Sequence, residues 1–596
     1  QNTYRIKGVF APVAVNSSVR PDAIFSINDA SRYWNPGANC WTGFVRLKEE
    51  IDLDRLDAMV ERAVRPAYPR TDSWNLYEVQ LRPLYEYVRN TDDVKRMCTI
   101  MAVLGTTLLL IASLNYVLLS ISSMSRRAKA IGVQKCSGAG PGHIFAMFMQ
   151  ETALILAMAL LVAAIVTLNC REFIEEIIST PLSSLFTGAR VWITAGVLAA
   201  ILIIGGAVPA RLFARIPVSQ VFRRYTERNS PWKRVLLLIE FAGVAFTCGL
   251  MSVMSIQYRH IVDNNRNFNP EPVAVAGDWA LDSAAYEVVV STIRNLPYVD
   301  DCGGSSYLFF DSFEGNLTES GVETLLSTID DNVPELLGFN IIHGRPTERA
   351  EEALINEKLM NDLHLSPTTA LGDKKLLNMQ GGHSYTIVGI IGDIDLHSAY
   401  SEAPPSLVIH PGSFFYNGIK NILMVKLKAP YSENLLKLNE DVNEAFPAAH
   451  AEFIMMADGL KGRYNDIRVF RNAVMVTSII ILFITFMGLL GFIADEIQRR
   501  RKEIAIRKVN GAETADVLRL LTGDVVKVAL PGVVIGTALA AITGNTWIQQ
   551  FADRTPELWL YYILTAIALL AVITGSSIAM TIRSARENPA DNLKSE

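Results

Sequence analysis

A membrane α-helical bundle carrying two extracytoplasmic α+β domains is the fold class this sequence predicts, and three observations predict it. Half of the 596 residues are hydrophobic and only 19% are charged, against about 25% in ordinary soluble domains. The apolar residues gather into seven stretches, each close to the ~20 residues that cross a hydrocarbon core. Two long polar segments with strand-like alternation flank or separate them. The same composition excludes other classes. A net charge of −5 offers no general attraction to nucleic acid. The six cysteines, at 40, 98, 136, 170, 248 and 302, form no Cys-x-x-Cys pair, so neither a zinc ribbon nor a disulfide framework is indicated.

In chain order the spans are 97–123, 152–170, 191–210, 235–258, 472–494, 528–552 and 558–582, all uncharged except the fourth, which holds Glu240. Each is too long for a signal-peptide core, and a closed barrel would show short alternating segments instead. Short loops rich in Lys and Arg face the cytoplasm. The loop after the first span carries Arg126, Arg127, Lys129 and Lys135; the loop after the third carries Arg211, Arg215, Arg223, Arg224, Arg228, Lys233 and Arg234; the loop after the fifth carries Arg499, Arg500, Arg501, Lys502, Arg507 and Lys508. Opposite them lie Glu172, Glu175 and Glu176. The expected organisation is therefore an outer domain at 1–96, four spans at 97–258 with a cytoplasmic segment 126–150, a second outer α+β domain at 259–471, and three spans at 472–596 with a cytoplasmic segment 499–523 and a cytoplasmic tail. An odd number of spans starting outside, with Gln1 rather than Met at the beginning, leads to the expectation of an eighth span and more of the first domain upstream.

The chain contains itself twice. The run Arg126-Arg127-Ala128-Lys129-Ala130-Ile131-Gly132-Val133-Gln134-Lys135-Cys136-Ser137-Gly138-Ala139 returns, in constant register, as Arg499-Arg500-Arg501-Lys502-Glu503-Ile504-Ala505-Ile506-Arg507-Lys508-Val509-Asn510-Gly511-Ala512. Both copies directly follow a span and precede another. Tyr4–Phe10 resembles 385–391, and Phe44–Lys48 resembles 424–428; each alternates as a strand does. Helix-like runs follow at 54–64 and 433–446, and the halves end alike at Pro217–Val221 and Pro589–Leu593. Each half would be one span, one outer domain and three further spans.

The repeated cytoplasmic run reads as an elbow. Its charged residues continue the preceding helix out of the bilayer, Ile131 and Val133 or Ile504 and Ile506 give short apolar anchors, and Gly138 and Gly511 suit a left-handed helix stop. A second amphipathic helix begins at Glu513 or Thr514, with Val517, Leu518 and Leu521 as its stripe. Basic residues that only enforce topology and bind lipid head groups would need no such recurrence, so a duplicated contact surface for a cytoplasmic partner is the better account.

These features resemble the FtsX-like permeases of MacB-type ABC transporters, in the duplicated form common in Bacteroidota. The elbow 499–512, its weaker copy 126–139, the outer segment before Arg471, the tail Asn588-Pro589-Ala590-Asp591, and strand fragments at 8–17 and 385–393 carry the likeness. The first copy departs from the usual charged form, with Ala130 where the second has Glu503 and Gln134 where it has Arg507. The resemblance implies a multi-pass protein of the cytoplasmic (inner) membrane with its large domains in the periplasm. It implies a permease that hydrolyses nothing itself, needs no cofactor or metal, and is driven by a separate ABC ATPase dimer. The expected ATPase contacts are Lys129, Ile131, Lys135, Gly138 and Ala139 in the first elbow and Lys502, Glu503, Ile504, Arg507, Lys508, Gly511 and Ala512 in the second. Membrane lipid and a periplasmic adaptor or outer-membrane component are the other expected partners, with no nucleic acid among them. Export or extraction of a peptide, lipoprotein or toxic small molecule is the expected role; transmembrane regulation of a cell-wall hydrolase, as by FtsX, is the alternative. An independent membrane enzyme or ion-coupled transporter would show polar groups in several spans.

No Gly-x-x-x-x-Gly-Lys-[Ser/Thr], His-Glu-x-x-His or Gly-x-Ser-x-Gly motif occurs, so a phosphate loop, a zincin site and a nucleophile elbow are not indicated. His383, His397 and His410 have no simple metal spacing, and Asp393 with Asp395 reads as a strand end or turn. Cys40 and Cys302 fall in different domains. Glu240 is an intramembrane acid, a functional hypothesis by default; at ~10 Å from the cytoplasmic end it could instead reach the interface or pair with a loop base. Pro209 and Pro531 are expected to end or bend helices.

Overall fold

The computed structural model describes residues 46–47, 53–64, 92–122, 124–178, 181–183, 188, 190–214, 231–263, 267–277, 283–305, 315–371, 376–379, 383–394, 399–400, 402–410, 422–447 and 451–585. The chain divides into two units, Gln1–Val103 with Thr180–Phe186, and the remainder. In the first, helix α1 (Leu53–Val64) coincides with the helix-like run expected at 54–64, and its Leu56 is buried. The strand pair expected at 4–10 and 44–48, Cys40, Asp395, His397, and the half-chain ends at 217–221 and 588–593 lie essentially outside the described residues.

Among the described residues, seven helices are long and apolar enough to cross a membrane. In chain order, α2 (Asp92–Ser122) is followed by α3 (Met124–Cys136), α4 (Pro141–Asn169) and α5 (Arg171–Ile178). A third span is built from α6 (Arg190–Leu202), a π turn at Ile203–Ala207, and α7 (Val208–Ala214). The π turn has a local cause: Pro209 has no N–H to offer the carbonyl four residues back, so the ladder slips by one residue instead of breaking. The turn packs closely, because a Cβ on Gly205 would stand 3.1 Å from the Tyr116 ring and one on Gly206 3.0 Å from the Met149 sulfur. The Tyr116 hydroxyl meets Thr152 Oγ1 at 3.1 Å. Helix α8 (Pro231–Asp263) is the fourth span.

The three remaining spans are α15 (Asn465–Val509), α16 (Thr514–Ile548) and α17 (Leu558–Ala585), which follow the α/β body described below. Their core joins Phe241, Val244 and Ala245 of α8 to Ile111 and Leu118 of α2, Ile481 and Leu489 of α15, Val533 of α16 and Leu569 of α17. Helix α8 is central: 56% of its most apolar window is buried, against 6% for α4. Lipid tails give apolar spans no reason to prefer one another, so close backbone approach must hold them. Gly532, Gly536, Ala540 and Gly544 supply it, at four-residue spacing on α16. A Cβ at Gly532 would stand 2.9 Å from the Leu238 carbonyl oxygen, and one at Gly536 would meet the Ala242 carbonyl oxygen more closely still. Across the same seam a Cβ on Gly249 would stand 2.7 Å from Ala540 Cβ. Pro531 lies inside α16.

Two details of the span boundaries differ from expectation. Helix α16 ends at Ile548, short of 552, where Trp547 and Phe551 meet edge-to-face at 4.7 Å. The amphipathic segment expected as a separate helix after the elbow is the first turns of α16 itself, which runs 35 residues without a break.

The body between α8 and α15 contains β1 (Val273–Ala276), α9 (Ser283–Arg294), β2 (Val299–Ser305), β3 (Gly315–Leu317), β4 (Glu323–Thr328), α10 (Val333–Leu336), β5 (Ile341–Gly344), β6 (Glu352–Asn356), α11 (Glu357–Asp362), α12 (Pro367–Ala370), β7 (Leu376–Met379), β8 (His383–Ile391), β9 (Ser406–Ile409), β10 (Ile422–Leu427), α13 (Tyr431–Ala445), β11 (Ile454–Met455) and α14 (Met456–Arg463). An antiparallel sheet has the order β11-β1-β10-β2. Helices α9 and α13 cover one of its faces through Tyr286, Val289, Ile293, Leu438 and Val442. The second sheet is mixed, in the order β3-β4-β9-β6-β8-β5, with β7 pairing the first half of β8; β4 and β9 are parallel, as are β6 and β8. A shared apolar layer joins Val273 and Met424 of the first sheet to Leu354, Ile391 and Val408 of the second. The segments 385–391 and 424–428 are both strands, as their alternation predicts, and they belong to different sheets. Such a membrane bundle with an attached α+β body is the fold class expected.

An ion pair braces the edge of the mixed sheet. Arg345 donates to Glu352 through Nη1 at 2.9 Å and Nη2 at 2.5 Å. These bonds, the largest effect, and the Glu348 amide hold the Glu352 carboxyl down at about 2, below its unfolded value of about 4.3. A depressed acid stabilises the fold above its unfolded value and loses that contribution as pH falls through the folded one. The thermal midpoint of the body should therefore decline from about pH 5 toward pH 2. A Glu352→Gln variant, melted over the same range, should start lower and lack that part of the decline.

Candidate functional site

The two basic elbows are built from one backbone plan. Helix α3 ends at a left-handed Gly138, φ +95°, and α15 at Gly511, φ +89°. In each the next amide reaches back over the turn: Ala139 N donates to the Gln134 carbonyl at 3.0 Å, and Ala512 N to the Arg507 carbonyl at 3.0 Å. That is the glycine stop which ties off the last open carbonyls of a helix. The following N-cap residues also agree, Gly140 at φ −73°, ψ 164° and Glu513 at φ −74°, ψ 163°. The local chemistry differs. The first elbow restarts its helix with Pro141, whose fixed φ suits the opening position; the second uses a capping box in which the Asp516 carboxylate accepts from Glu513 N at 3.0 Å.

Inside each elbow the apolar joint repeats as well. Ile131, Ile144 and Phe148 are buried together with Val117 and Ala210. Their counterparts in the second copy, Ile504, Val517 and Leu521, cluster with Ile497. Ionic ties then brace the second elbow. Arg500 joins α15 to α16 through Asp524 at 2.7 Å and is itself held by Glu496 at 2.5 Å. Lys233 joins α8 to α15 through Asp495 at 3.1 Å. A groove of about 750 Å³ opens beside the turn, lined by Arg507, Asn510, Gly511, Asp516, Arg519 and Lys527 among others. The equivalent positions of the first copy hold Gln134, Ser137, Gly138, His143, Ala146 and Leu154. One backbone shape thus carries two surfaces, one charged and one nearly neutral.

The expected contact residues take different places. Ile131 is 2% exposed and Ile504 half-buried; both serve the joint. Val133 and Ile506 face outward, 54% and 50% exposed. Residues two apart point to different sides of a helix, so the two members of each pair could not both be anchors on one face; helical phase was the signal. Glu503 and Arg507 are exposed and pair with each other at 2.8 Å. Lys135, Ala139 and Ala512 are half-buried, and Gly138 and Gly511 exposed. The side chains of Lys129, Lys502 and Lys508 lie outside the described ones. Arg519 and Lys527, which α16 contributes to the groove, were not anticipated. Alanine at either left-handed glycine should cost about 1–2 kcal/mol, read as a lowered thermal midpoint, with asparagine tolerated better at the same position.

The other singled-out residues are placed as follows. Glu240 is fully buried, and among the described residues neither of its carboxyl oxygens has a partner, while Lys233 is paired to Asp495. Asp393 Oδ1 accepts from the Lys358 amide at 2.9 Å, at the start of α11. His410 pairs with Asp331 at 2.9 Å, and Cys302 is buried.

Comparison with known proteins adds the family. The model of the FtsX-like permease C-terminal domain matches residues 102–218 and again 475–589; the two matches begin in the register of the internal repeat, and each contains one elbow. Among solved structures, the periplasmic region of MacB from Actinobacillus actinomycetemcomitans is 11% identical over 35% of this chain and 98% of its own, with a TM-score of 0.25. A domain of a protein described as a permease from Porphyromonas gingivalis is 16% identical over 31% of this chain and 89% of its own, with a TM-score of 0.22. No curated protein matches the chain. With the same domain model matched once around each elbow, the chain contains the FtsX-like permease C-terminal domain twice.

Proposed function

We propose that the chain is the permease subunit of an ABC transporter in the inner membrane. A separate ATPase dimer docks on the two elbows, hydrolyses ATP, and moves periplasmic domains that export or extract a peptide, a lipoprotein or a toxic small molecule. Mechanical transmission, rather than passage of substrate through a pore, is the mode. The observation that carries this reading is the continuity of α15. One 45-residue helix leaves the α/β body at Asn465 and reaches the second elbow at Val509, a strut of roughly 68 Å.

The body is also clamped to the span ends. Ala552 N donates to the Ala399 carbonyl at 3.1 Å, and the Tyr400 hydroxyl to Asp466 at 3.1 Å. Tyr400 stacks on Phe551 at 5.3 Å, and the Arg471 guanidinium lies 4.1 Å above the Tyr258 ring. Gln257 joins α8 to the loop before α17, donating to the Asp553 carbonyl at 2.8 Å and accepting from Thr555 N at 2.9 Å. A push at the elbow therefore has a stiff route to the body.

The test is affinity purification of the full chain from its native membranes. An ATPase should accompany it, with turnover that rises when the chain is present. A pure, stable chain with no ATPase at low salt would overturn the proposal. A wall hydrolase bound along with the ATPase would replace export by regulation.

A further inference from the structure

The apolar interior of the bundle holds one acid, and its surroundings have no donor for it among the described residues. Glu240 on α8 is fully buried, and neither carboxyl oxygen has a hydrogen-bond partner there. Beside it is Asn115 of α2, 7% exposed. Its amide nitrogen donates to the Ile484 carbonyl of α15 at 2.8 Å, while its Oδ1 has no partner. A Cβ placed on Gly488 of α15 would stand 2.8 Å from Glu240 Oε2 and 2.8 Å from Asn115 Oδ1, so the two oxygens lie at most twice that distance apart. Two orphan acceptors thus converge on a glycine.

The location is singular in the repeat. Asn115 and Gly488 are separated in sequence by the same offset as Arg126 and Arg499, so each is the other's counterpart. A residue that touches its own counterpart lies on the axis relating two copies. The site therefore sits where the two repeats meet, and α8 adds the acid to it.

Acceptors alone cannot bond to one another, and each unsatisfied buried oxygen is costly. No charged donor is at hand. The apolar stretches of α2, α15, α16 and α17 hold no Asp, Glu, Lys, Arg or His. Along α8 the nearest base toward the elbow is Arg234, about 9 Å away at the span's end, and beyond it Lys233, about 10 Å away and committed to Asp495. The smallest group that completes the site is a proton.

We propose that Glu240 and Asn115 form an intramembrane proton site on the seam between the halves. The carboxylate takes one proton from water, the new O–H donates to Asn115 Oδ1, and the bond latches α8 to α2 while the Asn115 amide latches α2 to α15. Parting the halves opens the latch and lets the proton leave. Gly488 is needed because any side chain there would occupy the same space.

The test is a set of thermal melts on the full chain in nanodiscs, independent of any ATPase. Glu240→Gln keeps a neutral donor and should melt within about a degree of the parent. Glu240→Ala and Asn115→Ala should each lower the midpoint by several degrees, and the double variant should be no worse than the worse single one. Raising the pH should bring the parent down toward Glu240→Ala while leaving the gap between Glu240→Gln and Glu240→Ala unchanged. A Glu240→Gln variant as damaged as Glu240→Ala, including one that fails to fold, overturns the proposal. So does a silent Glu240→Ala, or full additivity with Asn115→Ala. None of these readouts depends on the ATPase reading being right.

Discussion

Leucine at Gly536 is expected to leave almost no folded permease in the membrane. The position has no room for even a β-carbon, because the Ala242 carbonyl of α8 occupies it, and Ala245 Cβ stands 2.8 Å away. The obstacle is backbone rather than the end of a flexible side chain, so relief requires α16 to move off α8. Overpacking of this kind costs about 1–3 kcal/mol where a core can adjust, and here it would separate the most extensively packed pair of spans. Alanine should already lower the midpoint clearly, and leucine should give aggregated material on size-exclusion chromatography. Gly575 on α17 has open space around it, so Gly575→Leu should behave as the parent protein. If both glycines tolerated leucine equally, close approach along this seam would not be what holds the bundle.

Reversing charge in the second elbow should weaken the ATPase about 10- to 100-fold, equivalent to roughly 1.4–2.8 kcal/mol. Arg507 of α15 and Arg519 of α16 both line the groove beside the turn, where a partner must approach closely. The double variant Arg507→Glu with Arg519→Glu is the direct test. Glutamate at 507 would also repel Glu503 one turn back, so Arg507→Gln, the residue found in the first elbow, controls for helix loss. The matching substitution in the first elbow, Gln134→Glu with Ala146→Glu, should cost less, because few charges stand at the equivalent positions there to be answered. Raising salt from about 0.05 to 0.5 M should loosen the second contact preferentially. Binding measured on vesicles with purified ATPase would separate the cases; equal losses at the two elbows would refute unequal contacts.

Much of this architecture could be read from residues alone. A long uninterrupted apolar run has few alternatives to a span, and the basic loops that orient the spans are local in sequence. The elbow was legible for the same reason: Gly138 and Gly511 follow basic runs at the same distance, and a left-handed stop needs little beyond its own neighbours. Reading failed where the cause is remote or periodic. Treating Ile131 and Val133 as one anchor ignored the turn of the helix between them. The stripe Gly532, Gly536, Ala540, Gly544 was visible as a four-residue period but has meaning only once Ala242 is known to face it. Nothing near Glu240 in sequence points to Asn115, which belongs to a distant span. The order of strands in the two sheets was beyond reach as well, because β4 lies beside β9 and β6 beside β8 through packing that no short segment encodes.

The place of Gly488 along α15 has a mechanical consequence. It stands near the middle of an unbroken helix that runs from Asn465 to Val509. If the halves rock about the seam there, α15 behaves as a seesaw with arms of roughly 33 Å. A tilt of about 10° then carries each tip about 6 Å, in opposite directions. Such a beam neither gains nor loses travel; what the inner tip is given, the outer tip delivers in full with its sense reversed.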